Sequence, residues 1–327
     1  MKKMKKMLFV AAAAALALMG PASAQDFPSR PITMVIPFAA GGPQDTIGRI
    51  FAQRMSELLG QQVVVENVGG AGGMTGSKRV ADAKPDGYTM VLGSVGTHAQ
   101  NQTLYKHPLY NVVSDFTPVA YLALTPISVI TRPDLPVNNF KEFIAYAKAN
   151  QAKMQYGSAG AGSATHLACV VLDSAMGTKI THVPYKGTGP AMQDLIGGQI
   201  DLSCLEASSG LAYVEAGKFK AYAVMGDQRW PKSPDTPTMI ESGISGAVVN
   251  FWHALWTTRG TPKDAVDRLD AAAMSALANP AVRQRLETLG QVIFPRDQQG
   301  PAAPAAYQKA EIDKWWPIIK AAGIKAE

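Results

Sequence analysis

The sequence has few of the features that mark enzymes, metal proteins or nucleic-acid-binding proteins. It contains no Gly-Lys-Ser/Thr phosphate loop, no His-Glu-x-x-His motif and no serine in a Gly-x-Ser-x-Gly elbow. A loop with Gly70 and Gly72 has Thr75 where the dinucleotide fingerprint requires its third glycine. No basic stripe typical of nucleic-acid recognition is visible. These absences argue against an enzyme, a cofactor, a metal site and a nucleic-acid partner.

Long apolar runs are also scarce, and the main one lies at the start of the chain. Four lysines among the first six residues precede the run Leu8–Met19, and the small residues 22–24 follow it. This order predicts a secretory signal peptide, 1–24, cleaved before Gln25 to release a periplasmic protein. The run is shorter than the ~20 residues that span a bilayer, although an uncleaved anchor remains the alternative. Because 31 Lys and Arg face 25 Asp and Glu, removing four lysines leaves a nearly neutral chain.

Only two cysteines occur, Cys169 in a predicted helix and Cys204 in a predicted strand. Both lie in apolar runs, which favours free, buried side chains. An oxidising compartment also permits a disulfide. The sequence does not fix their separation, so both interpretations stay open.

Short β-rich runs alternate with helical ones, which is typical of α/β layers with mostly parallel strands. Strands are predicted at 32–37, 63–66, 88–92, 119–124, 127–131, 154–156, 180–184, 200–205, 219–225 and 251–257. Helices are predicted at 45–59, 140–150, 163–176, 190–196, 208–216, 262–278, 280–289 and 304–322. The stretch 227–246, rich in Pro, Ser and Gly, predicts a surface loop around a short helix.

The order of these elements predicts two lobes. We expect residues 25–126 and 249–327 to form a discontinuous first lobe, and residues 127–248 to form the second. A cleft between lobes is where α/β proteins usually bind small ligands.

Three loops of small residues precede helices, at 37–45, 69–76 and 157–166. The unpaired N–H groups at a helix N-terminus favour an anion, and glycine permits close approach. Ser94 and Thr97 supply a fourth polar loop after a strand. Each loop taken alone is equally compatible with a tight turn, but their recurrence predicts a shared anion site.

Individual side chains have competing interpretations. His166 is a ligand donor or a packing residue, and Lys186 neutralises a carboxylate or lies on the surface. Glu206 faces a cationic or hydroxyl group, or is a simple helix-start acid. Phe38 stacks on a ligand or packs between the lobes.

The chain resembles the Bug-type periplasmic receptors of tripartite tricarboxylate transporters over essentially its whole length after the signal. The opening segments 27–32 and 36–42 match that family, including Val/Ile-Pro-Phe-x-x-Gly-Gly. Further matches lie at 65–67, 70–73, 85–89, 96–98, 156–158, 165–167, 183–187, 189–191, 217–218 and 321–324. Each motif alone is weak, but this many in order are specific.

The resemblance implies a two-lobed Venus-flytrap receptor that passes a carboxylate to a membrane permease pair. Family ligands include di- and tricarboxylates, amino acids and aromatic acids. One carboxylate is typically held by first-lobe main-chain amides and ordered water. The matching positions here are Phe38, Gly41, Gly42, Gly72 and Gly73. We expect the other end of the ligand to meet the second-lobe residues Ser158, Ser163, Thr165, His166, Lys186 and Glu206.

The chain departs from the family pattern near these loops. Ala39-Ala40 replaces Pro-Pro, Gln44 replaces Thr, and Leu205-Glu206 replaces a frequent Asp-Asn pair. Alanines at 159, 161 and 164 occupy variable positions. We expect these departures to tune specificity, with Glu206 favouring a ligand that has an amine, hydroxyl or aromatic portion.

Two rival functions differ in class from transport. A periplasmic hydrolase or isomerase needs a nucleophile–base or metal constellation, which the sequence does not offer. A receptor that presents its ligand to a sensor kinase shares every feature above and differs only in its partner. The sequence favours a monomeric transport receptor.

Overall fold

A computed structural model describes residues 27–226, 228–244, 248–293, 302–321 and 325. The predicted signal peptide and its cleavage site lie outside these residues. The strands are β1 (Ile32–Ile36), β2 (Val63–Asn67), β3 (Thr89–Ser94), β4 (Phe116–Thr131), β5 (Gln155–Ser158), β6 (Thr181–Pro184), β7 (Leu202–Glu206), β8 (Lys220–Val224) and β9 (Asn250–Thr258). The helices are α1 (Pro43–Leu59), α2 (Met74–Ala81), α3 (Asn101–Leu104), α4 (Phe140–Asn150), α5 (Ala164–Met176), α6 (Thr188–Ile196), α7 (Ala207–Glu215), α8 (Lys263–Ala278), α9 (Pro280–Thr288) and α10 (Ala302–Ala321).

The strands join into a continuous mixed sheet in the order β2-β1-β3-β9-β4-β7-β5-β6, with β8 also paired to β4. On one side, β1 lies parallel to β2 and β3, and β9 runs antiparallel to β3. We call β1, β2, β3, β9 and β4 up to Pro126, with the loops and helices that connect or follow them, the first strand group. On the other side, β5 lies parallel to β6 and β7. We call β5 to β8 and β4 from Ile127, with the loops and helices that connect them, the second strand group.

Strand β4 links the two groups. It pairs with β9 as far as Pro126, and from Ile127 it pairs with β7 and β8. The sequence predicted two strands here, separated by Thr125-Pro126, and that separation is wrong. Although Pro126 has no N–H to donate, it lies where β4 changes partners, and Ile127 N donates to Val249 O at 3.4 Å. A proline at such a change of pairing therefore does not end the strand.

Amphipathic helices cover the sheet and bury their apolar faces against it. On α1, Ile47, Ile50, Phe51 and Met55 are buried with spacings of three and four residues. They pack against the apolar side chains of β1 and of α8. Within the described residues no helix is both long and apolar enough to cross a membrane. Between 228 and 244 the structure has turns where a short helix was predicted, and Trp230 is buried there.

Cys169 of α5 and Cys204 of β7 form a disulfide, with Cα atoms 5.4 Å apart. Both side chains are buried, as the apolar runs indicated. The preference for free thiols is wrong because the fold packs α5 directly onto β7. The bond joins the two elements that carry Ser163, Thr165 and Glu206 at their ends.

Candidate functional site

Four helices begin at one cavity between the two strand groups. The lining includes Pro43 at the start of α1, Thr165 in the first turn of α5, Thr188 at the start of α6, and Glu206 immediately before α7. The first N–H groups of each helix lack partners inside that helix, and the helix dipole makes this end positive. The space between these residues that no atom fills, open solvent included, is about 320 Å³. The arrangement suits a small anion.

The first strand group contributes mostly main chain to this cavity. Phe38, Ala39 and Gly42 line it, and Gly42 precedes α1 in an extended conformation. Gly41 lies at the surface, and its N–H donates to Asp45 Oδ2 at 3.0 Å.

Asp45 holds this loop in shape. Burial opposes its ionisation, but hydrogen bonds from Arg49, the Gly41 amide and Asn67 outweigh that effect and lower the pKa of the carboxyl below its ordinary value. Asn67 also donates to Phe38 O at 3.1 Å. The charged Asp45 carboxylate therefore stabilises the loop at Gly41 directly and at Phe38 through Asn67.

Gly72 and Gly73 support the cavity from behind and are not among its lining residues. Gly72 adopts φ 60°, and a Cβ there would lie 2.4 Å from Ala161 O of the second strand group. A Cβ on Gly73 would lie 2.6 Å from Thr97 Cγ2 and 2.9 Å from Phe38 Cζ. These glycines allow the loops to approach each other closely.

Ser94 and Thr97 are buried beneath the same loops. Thr97 Oγ1 accepts from Ser94 N at 3.0 Å and lies 2.9 Å from His98 Nδ1. His98 stacks on Trp256, and burial lowers its pKa to about 3. These predicted site residues form a support layer, since none of them lines the cavity.

The second strand group contributes side chains. Ser163 caps α5 by accepting from His166 N at 3.3 Å, and its Oγ lies 3.0 Å from Thr165 Oγ1. Thr165 Oγ1 also accepts from Ala159 N at 2.9 Å. Ser163, Thr165 and Ala159 all line the cavity.

Two histidines stack just outside this wall. The His166 and His182 rings lie 4.0 Å apart, with 13° between their planes. Gly162 N donates to His166 Nδ1 at 3.0 Å, and Ser158 Oγ lies 2.7 Å from His182 Nε2. Burial lowers the pKa of His166 to about 4, and burial together with the neighbouring His166 lowers that of His182 to about 3. His166 and Ser158 therefore shape the wall from outside the cavity.

Lys186 and Glu206 occupy contrasting places. Lys186 is exposed and does not line the cavity, although its carbonyl accepts from Ala39 N at 3.0 Å across the two groups. Glu206 lines the cavity and is only 2% exposed. Its Oε2 lies 3.5 Å from His253 Nε2 on β9.

Sequence reasoning missed several lining residues as site residues. These are Ala39, Pro43, Gln44, Asp45, Ala159, Ala164, Thr188 and Phe251. Positions 39, 44, 159 and 164 had a signal, because they depart from or vary within the family pattern. Phe251 had none beyond its place in an aromatic strand, since only the pairing of β9 with β4 brings it beside Glu206.

Comparison with known proteins agrees with this architecture. Residues 47–324 match the family described as the tripartite tricarboxylate transporter family receptor. An Agrobacterium vitis UPF0065 protein of the TAR-I ttuE–ttuC′ intergenic region is 42% identical over 92% of this chain and 87% of its own length. BugT of Bordetella pertussis is 32% identical over 97% and 96% of the two chains.

Solved structures show the same fold. The periplasmic binding protein BugD superposes with a TM-score of 0.89 at 42% identity, covering 92% of this chain and all (100%) of its own. MatC of Rhodopseudomonas palustris, solved with bound malate, gives 0.87 at 38% identity over 90% and 100%. The α/β fold is thus that of two-lobed periplasmic binding proteins, and these relatives are binding proteins and not enzymes. The chain belongs to the tripartite tricarboxylate transporter receptor family and is a periplasmic solute-binding receptor.

Proposed function

We propose that this receptor captures a small carboxylate in the cavity between its strand groups and delivers it to a membrane permease. The observation that carries the proposal is the convergence of four helix N-termini on one cavity. Their partial positive charges add where a carboxylate would lie, and the loop amides are within its reach. MatC with malate and a second R. palustris protein with adipate, 33% identical to this chain, support a dicarboxylate-sized ligand.

We assign the two ends of the ligand to different strand groups. One carboxylate would meet the α1 N-terminus and the loop containing Phe38 and Gly42, with Gly72 and Gly73 behind it. The rest would meet Ser163, Thr165 and Glu206. We place the lobe boundaries at 126/127 and 248/249, where β4 changes partners and just before β9 begins. The chain passes between the strand groups at these two boundaries, and opening of the cleft about them would admit the ligand.

A carboxylate panel tests the capture step. The chain starting at Gln25 should unfold at a higher temperature with its ligand, because a ligand at 100 times Kd adds about 2.7 kcal/mol. Malate, adipate and citrate, each beside its uncharged amide as the matched control, would be compared by thermal shift and then calorimetry. Stabilisation by the amides and not by the acids, or by neither, would contradict the proposal.

Export and delivery need separate measurements. N-terminal sequencing of the periplasmic fraction should find Gln25 first, and a membrane-bound form that retains Met1 would contradict cleavage. For delivery, the immobilised monomer should retain an integral membrane permease only when loaded with ligand. Retention of a sensor kinase in its place would favour the signalling function.

A further inference from the structure

Two side chains in the cavity hold hydrogen-bond acceptors without protein donors. Gln44 is 3% exposed, and its Nε2 donates to Leu92 O at 2.5 Å. That bond fixes the orientation of the amide, since a carbonyl oxygen can only accept. Gln44 Oε1 is left with no donor among the described residues. One residue of the cavity lining thus has a neutral acceptor in need of a donor.

Glu206 provides the second acceptor. Its side chain makes no capping bond to α7, so the role of a helix-start acid does not explain it. Oε2 has no hydrogen-bond partner in the described part of the chain. The Nε2 of His253, which is fully buried on β9, lies 3.5 Å from it, and both ring nitrogens of His253 also lack hydrogen-bond partners there.

Buried acceptors of this kind disfavour a ligand that has acceptors alone. A buried polar group without a partner costs free energy, and an ionised one costs more. A second bare carboxylate beside Glu206 would add charge repulsion to that cost. A donor group on the ligand would satisfy Gln44 and Glu206 together. Phe38 and Phe251 also line the cavity and would lie beside a cation without competing for its hydrogens.

We propose that the ligand is a carboxylate with a donor group on its carbon chain, an ammonium or a hydroxyl, and that Gln44 and Glu206 select this group. His253, whose Nε2 lies 3.5 Å from Glu206 Oε2, acts as a positioning residue for this carboxylate. The inference rests on the proposed function and narrows its ligand class. Both selecting residues stand where the sequence analysis found departures from the family pattern.

Matched acids that differ in one substituent test the inference. Succinate, malate and aspartate carry hydrogen, hydroxyl and ammonium on the same skeleton, and glutarate, 2-hydroxyglutarate and glutamate repeat the series. The pair adipate and 2-aminoadipate repeats the comparison on a longer carbon chain. Calorimetry on the intact receptor should give at least about tenfold tighter binding to a donor-bearing acid than to its bare counterpart, and the better donor identifies its chemistry.

Variants assign this preference to residues. Glu206→Gln and Gln44→Met should each reduce the ratio of affinities by about tenfold, and His253→Asn by a smaller factor. Glu215→Gln, at the exposed far end of α7, is the control and should leave the ratio unchanged. A ratio is informative because a purely structural defect would weaken both acids equally.

The outcomes separate the two proposals. Tightest binding of a bare acid, or a ratio that Glu206→Gln and Gln44→Met both leave unchanged, overturns this inference while carboxylate capture stands. Failure of every acid in the series to bind the wild-type receptor counts against the proposed function itself.

Discussion

The two strand groups build their sides of the cavity from different materials. The first group presents mostly main chain at Phe38, Ala39 and Gly42 together with the Gln44 side chain, and Gly72 and Gly73 lie behind this wall. The second presents hydroxyl and carboxyl side chains at the ends of α5 and β7, held by a disulfide. Backbone amides are the same in every sequence, whereas side chains differ. A main-chain wall suits the group that all ligands of such a receptor share, and a side-chain wall suits the part that differs.

The groups also differ in how they are stabilised. Both cysteines of the chain lie in the second group. The first group relies on an apolar core between β1, α1 and α8 and on the Asp45 hydrogen bonds. Four variants test this contrast.

Removing the disulfide should have the largest effect. The bond closes 35 residues of sequence, and a loop of that size is worth about 3–4 kcal/mol of unfolding free energy. The double variant Cys169→Ala, Cys204→Ala should lose about that much in urea unfolding. Wild type with a reducing agent is the matched comparison. Equal unfolding midpoints for the oxidised and reduced proteins would show that packing alone stabilises the second group.

Gly72→Ala should break the contact between the groups. Alanine at φ 60° is strained, and its Cβ would lie 2.4 Å from Ala161 O. We expect a loss of about 2 kcal/mol from the unfolding free energy and a more open protein by small-angle scattering. Gly177→Ala, at φ 68° with nothing within 4 Å, is the control for strain without the contact. Equal losses in both variants would mean that the contact contributes nothing.

Gly42→Ala should weaken ligand binding and leave the fold intact. Gly42 has φ −81°, and a Cβ would make ordinary contacts of 3.7 Å with Ala39 O and 3.8 Å with Gly189 N. Because the methyl group would occupy the start of α1 beside the cavity, calorimetry should show about tenfold weaker carboxylate binding. The melting temperature without ligand should not change. Gly73 offers no such test, since a side chain there meets Thr97 and Phe38.

Replacement of His182 should have the smallest effect, on acid sensitivity. The pKa of His166 falls from 6.5 to about 4 and that of His182 to about 3, so the unfolded chain binds more protons below pH 6.5. Stability is therefore lost as pH falls from about 6.5 toward 4. Between pH 7 and pH 5, the unfolding free energy of His182→Asn should fall by up to about 1 kcal/mol less than that of wild type. Urea unfolding at both pH values checks this, with exposed His107→Asn as the control. If wild type and His182→Asn lose the same unfolding free energy between pH 7 and pH 5, the prediction is contradicted.

Local patterns were sufficient for most of the fold. The period of apolar residues located α1, β1 and α5 to within a few residues, because helix and strand periodicities follow from backbone geometry. The glycine loops correctly indicated that a helix follows each of them, and these helices begin at 43, 74 and 164. Prediction failed at Pro126, where strand continuity depends on a change of partner that no local pattern records.

The candidate site divides in the same way. Phe38, Gly42, Ser163, Thr165 and Glu206 were selected from loops and motifs, and all five line the cavity. Ser94, Thr97, Ser158 and His166 were selected on the same grounds, yet they lie behind the cavity wall. Polarity at a strand end identifies a residue near the site. It does not say toward which side the residue faces, because that depends on the twist of the sheet.

The sequence by itself determined the α/β class, the order of the elements and the loops that precede helices, because these depend on composition and spacing over a few residues. Tertiary structure alone decided that Cys169 meets Cys204 and that His253 lies 3.5 Å from Glu206. It also decided that Lys186 stays at the surface while Phe251 reaches the cavity. Each of these depends on two segments distant in sequence. Their separation in space is set by the packing of the whole sheet and its helices.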